Sequence, residues 1–207
     1  MPTDADVEEA AATAASTFEE SRRHPVHARS EALDHISKRL SETIDENAKL
    51  IAAEGGKPLK WATIEAIRAV STFRWASEYI RNESDEFLRL DAEGAMAGRA
   101  SIIRRFPVGP VFGISPFNFP LNLVAHKVAP SIAAGATLVL KPASATPLSA
   151  LKLAEIVMET DLPPSVYSVL PAKSSLAGGA ASYGLILAAS VGLVLRRGLG
   201  FSVAWRI

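Results

Sequence analysis

The chain has 207 residues, 48% of them hydrophobic, enough for one ordinary domain with a packed core and room for an appendage. Lys plus Arg equals Asp plus Glu at 22 each, which argues against a nucleic-acid binder with its basic excess. With no cysteine, these residues supply no disulfide, thiolate metal site or cysteine nucleophile, and the acidic start Met1-Pro-Thr-Asp-Ala-Asp-Val-Glu-Glu9 does not read as a signal peptide, so a cytoplasmic location is expected.

From about Asp4 to Arg23, alanines alternate with polar groups at helical spacing, with Val7, Ala11, Ala14 and Phe18 on one side. Pro25 can open a second helix, whose apolar stripe is Ala32, Leu33, Ile36 and Leu40. A third helical stretch carries Ile44, Leu50 and Ile51 and stops at Gly55-Gly56. Pro58 falls in the first turn of the next helix, where its missing N–H costs little. That helix runs to about Arg81, and Trp61, Ile64, Ile67, Val70, Phe73, Trp75 and Ile80 are expected to be buried packing residues. Phe87-Leu-Arg-Leu90 and Ala100-Ser-Ile-Ile-Arg-Arg-Phe106 then read as an antiparallel hairpin around Gly94 and Gly98.

The most informative stretch follows. Val108-Gly-Pro-Val-Phe-Gly-Ile114 is an apolar, β-branched run, Ser115-Pro-Phe-Asn-Phe-Pro120 a turn, and Leu121 to Ala134 a helix closed by Gly135. Thr137-Leu-Val-Leu140 is a second buried run, ending at Lys141-Pro142. Pro147 opens a further helix with a broad apolar face (Leu148, Leu151, Leu153, Ala154, Ile156, Val157, Met158), and Val166-Tyr-Ser-Val-Leu170 is a third strand. The order βαβαβ predicts an α/β fold: an incomplete, doubly wound, Rossmann-like parallel sheet, preceded by N-terminal helices and interrupted by a hairpin excursion. Ligands of such sheets bind at the carboxyl ends of the strands, where Asn118, Lys141 and Ser144 stand. From the residues alone, Asn118 is either a donor aimed into a dry pocket or a turn asparagine bonding its own backbone. Lys127 is either a group facing the crevice or a snorkelling surface lysine.

Pro116-Phe-Asn-Phe-Pro120, Lys127, Pro130-Ser-Ile-Ala-Ala-Gly135 and Lys141-Pro142, together with Glu54-Gly-Gly-Lys-Pro58 upstream, resemble the N-terminal cofactor-binding region of the aldehyde dehydrogenases. The motif matches extend forward to about Pro171. The resemblance implies oxidation of an aldehyde to a carboxylic acid, with NAD or NADP as cofactor. By that resemblance Asn118 holds the oxyanion formed on thiolate attack, and Lys127 orients groups near it. It also implies cofactor contacts from Ile114, Ser115, Pro116 and Phe117 and from Lys141, Pro142, Ala143 and Ser144, with Lys141 on the adenosine ribose. Many NAD-using members have a glutamate where Ser144 stands, and a serine neither repels nor crowds a 2′-phosphate, so NADP should be tolerated. The hairpin at 86–107 resembles the family's oligomerisation element and implies a homo-oligomer or a full-length paralogue as partner. A surface hairpin with exposed arginines is the plainer reading of the same residues.

No metal site is expected, because His24, His27 and His35 lack ligand company, and His126 is assigned no catalytic role. Gly198-Leu199-Gly200 lacks the glycine at 203 that a dinucleotide fingerprint needs, and Gly56-Lys57 lacks the one at 51 for a phosphate loop. The expected organisation is therefore helices at 1–85, hairpin at 86–107, βαβαβ at 108–171 and an atypical tail at 172–207. Asp161 is the last acidic residue, and Ser174 to Leu195 carries no charge. That tail reads as out-of-frame sequence, as a weak membrane segment over Leu176 to Leu195, or as a surrogate for the missing sheet edge. The family's nucleophilic cysteine and general-base glutamate cannot be located, so the expectation is a chain inactive alone, its alternatives a non-catalytic assembly module or a membrane-tethered remnant. A sheet stopping at three strands would also leave an unpaired edge, and marginal stability with it.

Overall fold

The structure, a computed structural model, describes residues 2–172 and the backbone of 186–188 and 199–202. Helix α1 (Asp4–Ser21) starts at a capping box: the Asp6 amide donates to Thr3 Oγ1 (3.4 Å) and the Thr3 amide to Asp6 Oδ2 (2.6 Å). Helices α2 (Val26–Glu42), α3 (Ile44–Gly55) and α4 (Leu59–Asn82) follow. Pro25 and Pro58 precede α2 and α4, and Gly56 closes α3 with a left-handed φ of 65°. Strands β1 (Glu86–Arg89) and β2 (Ala100–Pro107) pair antiparallel, as the hairpin reading expects.

Strand β3 (Val111–Ile114), helix α5 (Asn122–Ala134), strand β4 (Leu138–Lys141), helix α6 (Leu148–Val157) and strand β5 (Tyr167–Val169) form the βαβαβ unit. Two short strands come from the tail. β6 (Ile186–Ala188) runs parallel to β3, and β7 (Leu199–Ser202) antiparallel to β2. The parallel order is β5-β4-β3-β6, the 3-2-1-4 arrangement of a doubly wound sheet, with its switch point beside β3. Strand β3 is thus paired on both sides, by β4 and by residues 186–188. The rest of the stretch from 176 to 195, on which the membrane reading falls, lies outside the described residues. Among those residues no helix is long and apolar enough to cross a membrane.

Alternation along the buried strands sends side chains to two layers. Val111, Leu138 and Leu140 join the larger core with Leu33, Ile36 and Leu40 of α2, Phe73 of α4, Val124 and Val128 of α5 and Leu153 of α6. Phe112 and Val139 point to the other face, where Val7, Ala11 and Ala14 of α1 and Leu170 cover them. Thr137 Oγ1 donates to the Ala14 carbonyl at 2.8 Å, tying α1 to the start of β4.

One expectation fails on α4. Its buried stripe is Ala62, Glu65, Ala66, Ala69, Phe73, Ser77 and Ile80, whereas Trp61 (56% exposed), Trp75 (63%), Ile64 and Ile67 face outward. Small residues let α4 approach α2, α3 and α5 closely, and that contact outcompetes the bulkier side. Leu148 and Leu151 of α6, and Met158 just after it, are likewise exposed.

Candidate functional site

At the carboxyl ends of β3 and β4, Ile114 pairs in register with Lys141, and the Ser115 amide donates to the Lys141 carbonyl at 3.1 Å. The fold thus sets the two segments singled out for the cofactor, 114–117 and 141–144, side by side. Ser115, Lys141 and Pro142 are buried, while Pro116, Phe117 and Ser144 are exposed. The Lys141 ammonium folds back onto the Pro142 carbonyl at 3.3 Å instead of reaching outward. The cationic head and the hydroxyl of Ser144 bracket a strand end with no carboxylate in segment 141–144, a donor set suited to ribose hydroxyls and phosphate.

Asn118 does not lie in a dry pocket. It is exposed, and among the described residues its side-chain amide makes no hydrogen bond, to its own backbone or elsewhere. Its carbonyl is held instead: Lys57 Nζ donates to it at 2.6 Å and sits 3.9 Å from the centre of the Phe119 ring.

Lys127 is no snorkelling lysine. It is 2% exposed, with Nζ 3.3 Å from the Leu123 carbonyl, and burial pushes its pKa down. Its aliphatic stem crosses Gly113 in β3, where an added Cβ would lie 3.2 Å from Lys127 Cδ and 3.1 Å from Leu140 Cδ1. A glycine in this strand is what leaves room for the lysine.

Two carboxylates that organise the site carry no assigned role in the sequence reading. Glu65, fully buried on α4, ion-pairs with Lys57 and accepts the amides of Leu121 (2.9 Å) and Asn122 (3.1 Å) at the start of α5. One side chain therefore fixes both ends of the 118–122 turn. Glu54, in the last turn of α3, does the same for α6, accepting the amides of Leu148 (2.8 Å) and Ser149 (3.1 Å). The available signal was an acidic residue in step with Ala62, Ala66, Ala69 and Phe73, a place on the buried stripe that only a paired carboxylate can hold.

The sequence profile described as "Aldehyde dehydrogenase family" matches residues 1–182, running past Pro171 into the start of the tail. The chain belongs to the aldehyde dehydrogenase family. It is similar to the lactaldehyde dehydrogenase of Methanocaldococcus jannaschii, 37% identical over 177 residues that make up 84% of this chain and 37% of that protein. It is 34% identical to the human mitochondrial succinate-semialdehyde dehydrogenase over 83% of this chain and 32% of that one. Among solved structures, aldehyde dehydrogenase 21 of Physcomitrella patens, in complex with its reaction product succinate, superposes with a TM-score of 0.83 at 39% identity. That match covers 86% of this chain and 37% of the other. The glyceraldehyde-3-phosphate dehydrogenase of M. jannaschii, complexed with NADP, gives 0.80 at 36% identity, covering 87% and 40%. The chain thus spans about a third of the length of the curated relatives named here.

Proposed function

We propose that this chain forms the cofactor-binding N-terminal portion of an NAD(P)-dependent aldehyde dehydrogenase, which oxidises an aldehyde to a carboxylic acid. The observation that carries the reading is the pairing of Ile114 with Lys141, which sets segments 114–117 and 141–144 at adjacent strand ends in a member of this family. The dinucleotide, when bound, accepts the hydride. Lys141 turns its ammonium from the Pro142 carbonyl to the adenosine ribose, and Ser144, lacking a negative charge, admits a 2′-phosphate. The Asn118 amide, its backbone anchored by Lys57, donates to the oxygen on which negative charge develops, and the buried Lys127 ammonium adds positive potential behind it. These 207 residues contain no cysteine, so the nucleophile comes from outside them, and the chain alone turns over no aldehyde.

The test is binding. NADPH fluorescence titration of the chain should saturate, and Ser144→Glu should weaken NADPH several-fold while sparing NADH. Equal loss of both cofactors would remove Ser144 from the 2′ position, and no binding by the wild type would remove the reading itself.

A second reading is compatible with the first and rests on the hairpin. Phe87 (66% exposed) and Ile102 (56%) are cross-strand partners that leave an apolar pair in solvent. This surface joins the chain to another subunit. Replacing both with serine should reduce the assembly size in sedimentation, and an unchanged size would refute the assignment.

A further inference from the structure

Between α4 and α5 lies an open cavity of about 480 Å³. Arg68, Ser71, Thr72 and Trp75 line it from α4, and Asn122 and His126 from α5. No lining residue is a carboxylate. Arg68 has no acidic partner among the described residues. Its guanidinium carbon lies 5.8 Å from the centre of the Phe119 ring, next in sequence to Asn118. Asn122 is 2% exposed, and its Oδ1 is sealed in the packing behind the cavity wall, with no hydrogen-bond partner among the described residues. The hydroxyls of Ser71 and Thr72 are turned back to the carbonyls of Ile67 (3.3 Å) and Arg68 (3.0 Å).

Positive potential pervades this end of the cavity. Burial, and then the charges of Arg68 and Lys127, hold the His126 pKa below its usual value. A neutral aldehyde would leave the arginine and the imidazole without a complement. A carboxylate, sulfonate or phosphate would satisfy the arginine. The closeness of Arg68 to Phe119 sets the anion only a few carbons from a carbonyl held at Asn118.

We infer that the α4–α5 cavity takes a short aldehyde bearing an anionic group, with Arg68 as its counter-ion and His126 as a hydrogen-bond partner. This assignment rests on the aldehyde dehydrogenase reading and adds the substrate class. Because the chain holds no nucleophile, the test uses unreactive probes: 4-hydroxybutyrate and its neutral counterpart 1,4-butanediol, titrated calorimetrically into the 207-residue chain. The anionic probe should bind roughly tenfold more tightly. Arg68→Gln should abolish that preference, and Arg68→Lys should keep part of it. Arg68 is exposed and bonds to no core group, so neither variant threatens folding. NADPH titration of the same samples separates the two claims. Equal or absent binding of the two probes alongside normal NADPH binding overturns the anionic substrate and leaves the dehydrogenase reading standing. An anionic preference that survives in Arg68→Gln removes Arg68 as counter-ion and overturns the assignment. A preference dependent on Arg68 without NADPH binding supports the anion site and overturns the dehydrogenase reading.

Discussion

Removing the Glu65 carboxylate tests how the site is assembled. In Glu65→Ala, the amides of Leu121 and Asn122 lose their acceptor in a buried place, and the Lys57 ammonium loses its counter-ion. An orphaned buried donor costs about 1–3 kcal/mol, and breaking a buried ion pair by deleting one partner costs about 3–5 kcal/mol. The losses overlap, because the same side chain serves all three groups and Lys57, at 16% side-chain exposure, can turn towards water. The net expectation is about 3–5 kcal/mol, a large share of the ~5–15 kcal/mol that stabilises an ordinary domain. For a chain of this size that corresponds to a fall of roughly 10 °C in melting temperature. Glu65→Gln keeps an oxygen for the two amides and loses only the charge, so it should fall between wild type and alanine. Urea unfolding monitored by circular dichroism measures the ranking, and a Lys57→Met cycle measures the coupling. A Glu65→Ala loss below about 1 kcal/mol would show that the turn at 118–122 is held by something else.

Two other substitutions probe the same crevice. Gly113→Ala places a Cβ within 3.1–3.2 Å of Leu140, Leu138 and Lys127, which should cost about 1–3 kcal/mol by overpacking; an unchanged urea midpoint would mean that the lysine stem moves aside freely. Lys127→Met should raise stability at pH 7, because the folded state holds an ammonium whose pKa burial has lowered from 10.5. In the window between the lowered pKa and 10.5 the unfolded chain binds more protons, so wild-type stability rises with pH and the gap between variant and wild type should close; a gap constant to pH 10.5 would refute the desolvation argument.

Much of the fold was legible because its signals are local. Pro25, Pro58, Gly56 and Gly135 mark helix ends through their backbone conformations, and the runs 111–114 and 138–141 are buried on both faces, as uninterrupted apolar strands must be. Helix α4 was misread because hydrophobicity reports what a side chain favours, not which face its neighbours occupy. Trp61 and Trp75 carry the stronger signal, but Ala62, Ala66 and Ala69 permit the closer approach. Glu65 was missed for a related reason. Its acidity reads as a solvated face until Lys57 and two helix-start amides are known to converge on it.

The site divides along the same line. The segments proposed for the cofactor, 114–117 and 141–144, are brought together by strand register, a property internal to the βαβ unit. The proposed reacting end is different: Asn118 is exposed, and the cavity between α4 and α5 is open with Trp75 largely in solvent. An amide donor stabilises developing charge strongly only where water is excluded, and here water reaches it. In a chain about a third as long as its relatives, cofactor and anion recognition are therefore the properties to expect of these residues themselves. In the role proposed for it, the Asn118 amide depends for its rate-enhancing effect on whatever surface closes over α4 and the 115–120 turn. Adding that surface should slow hydrogen exchange at the amides of 117–119, which donate no hydrogen bond among the described residues, while the amides of Leu121 and Asn122, already bonded to Glu65, should change little.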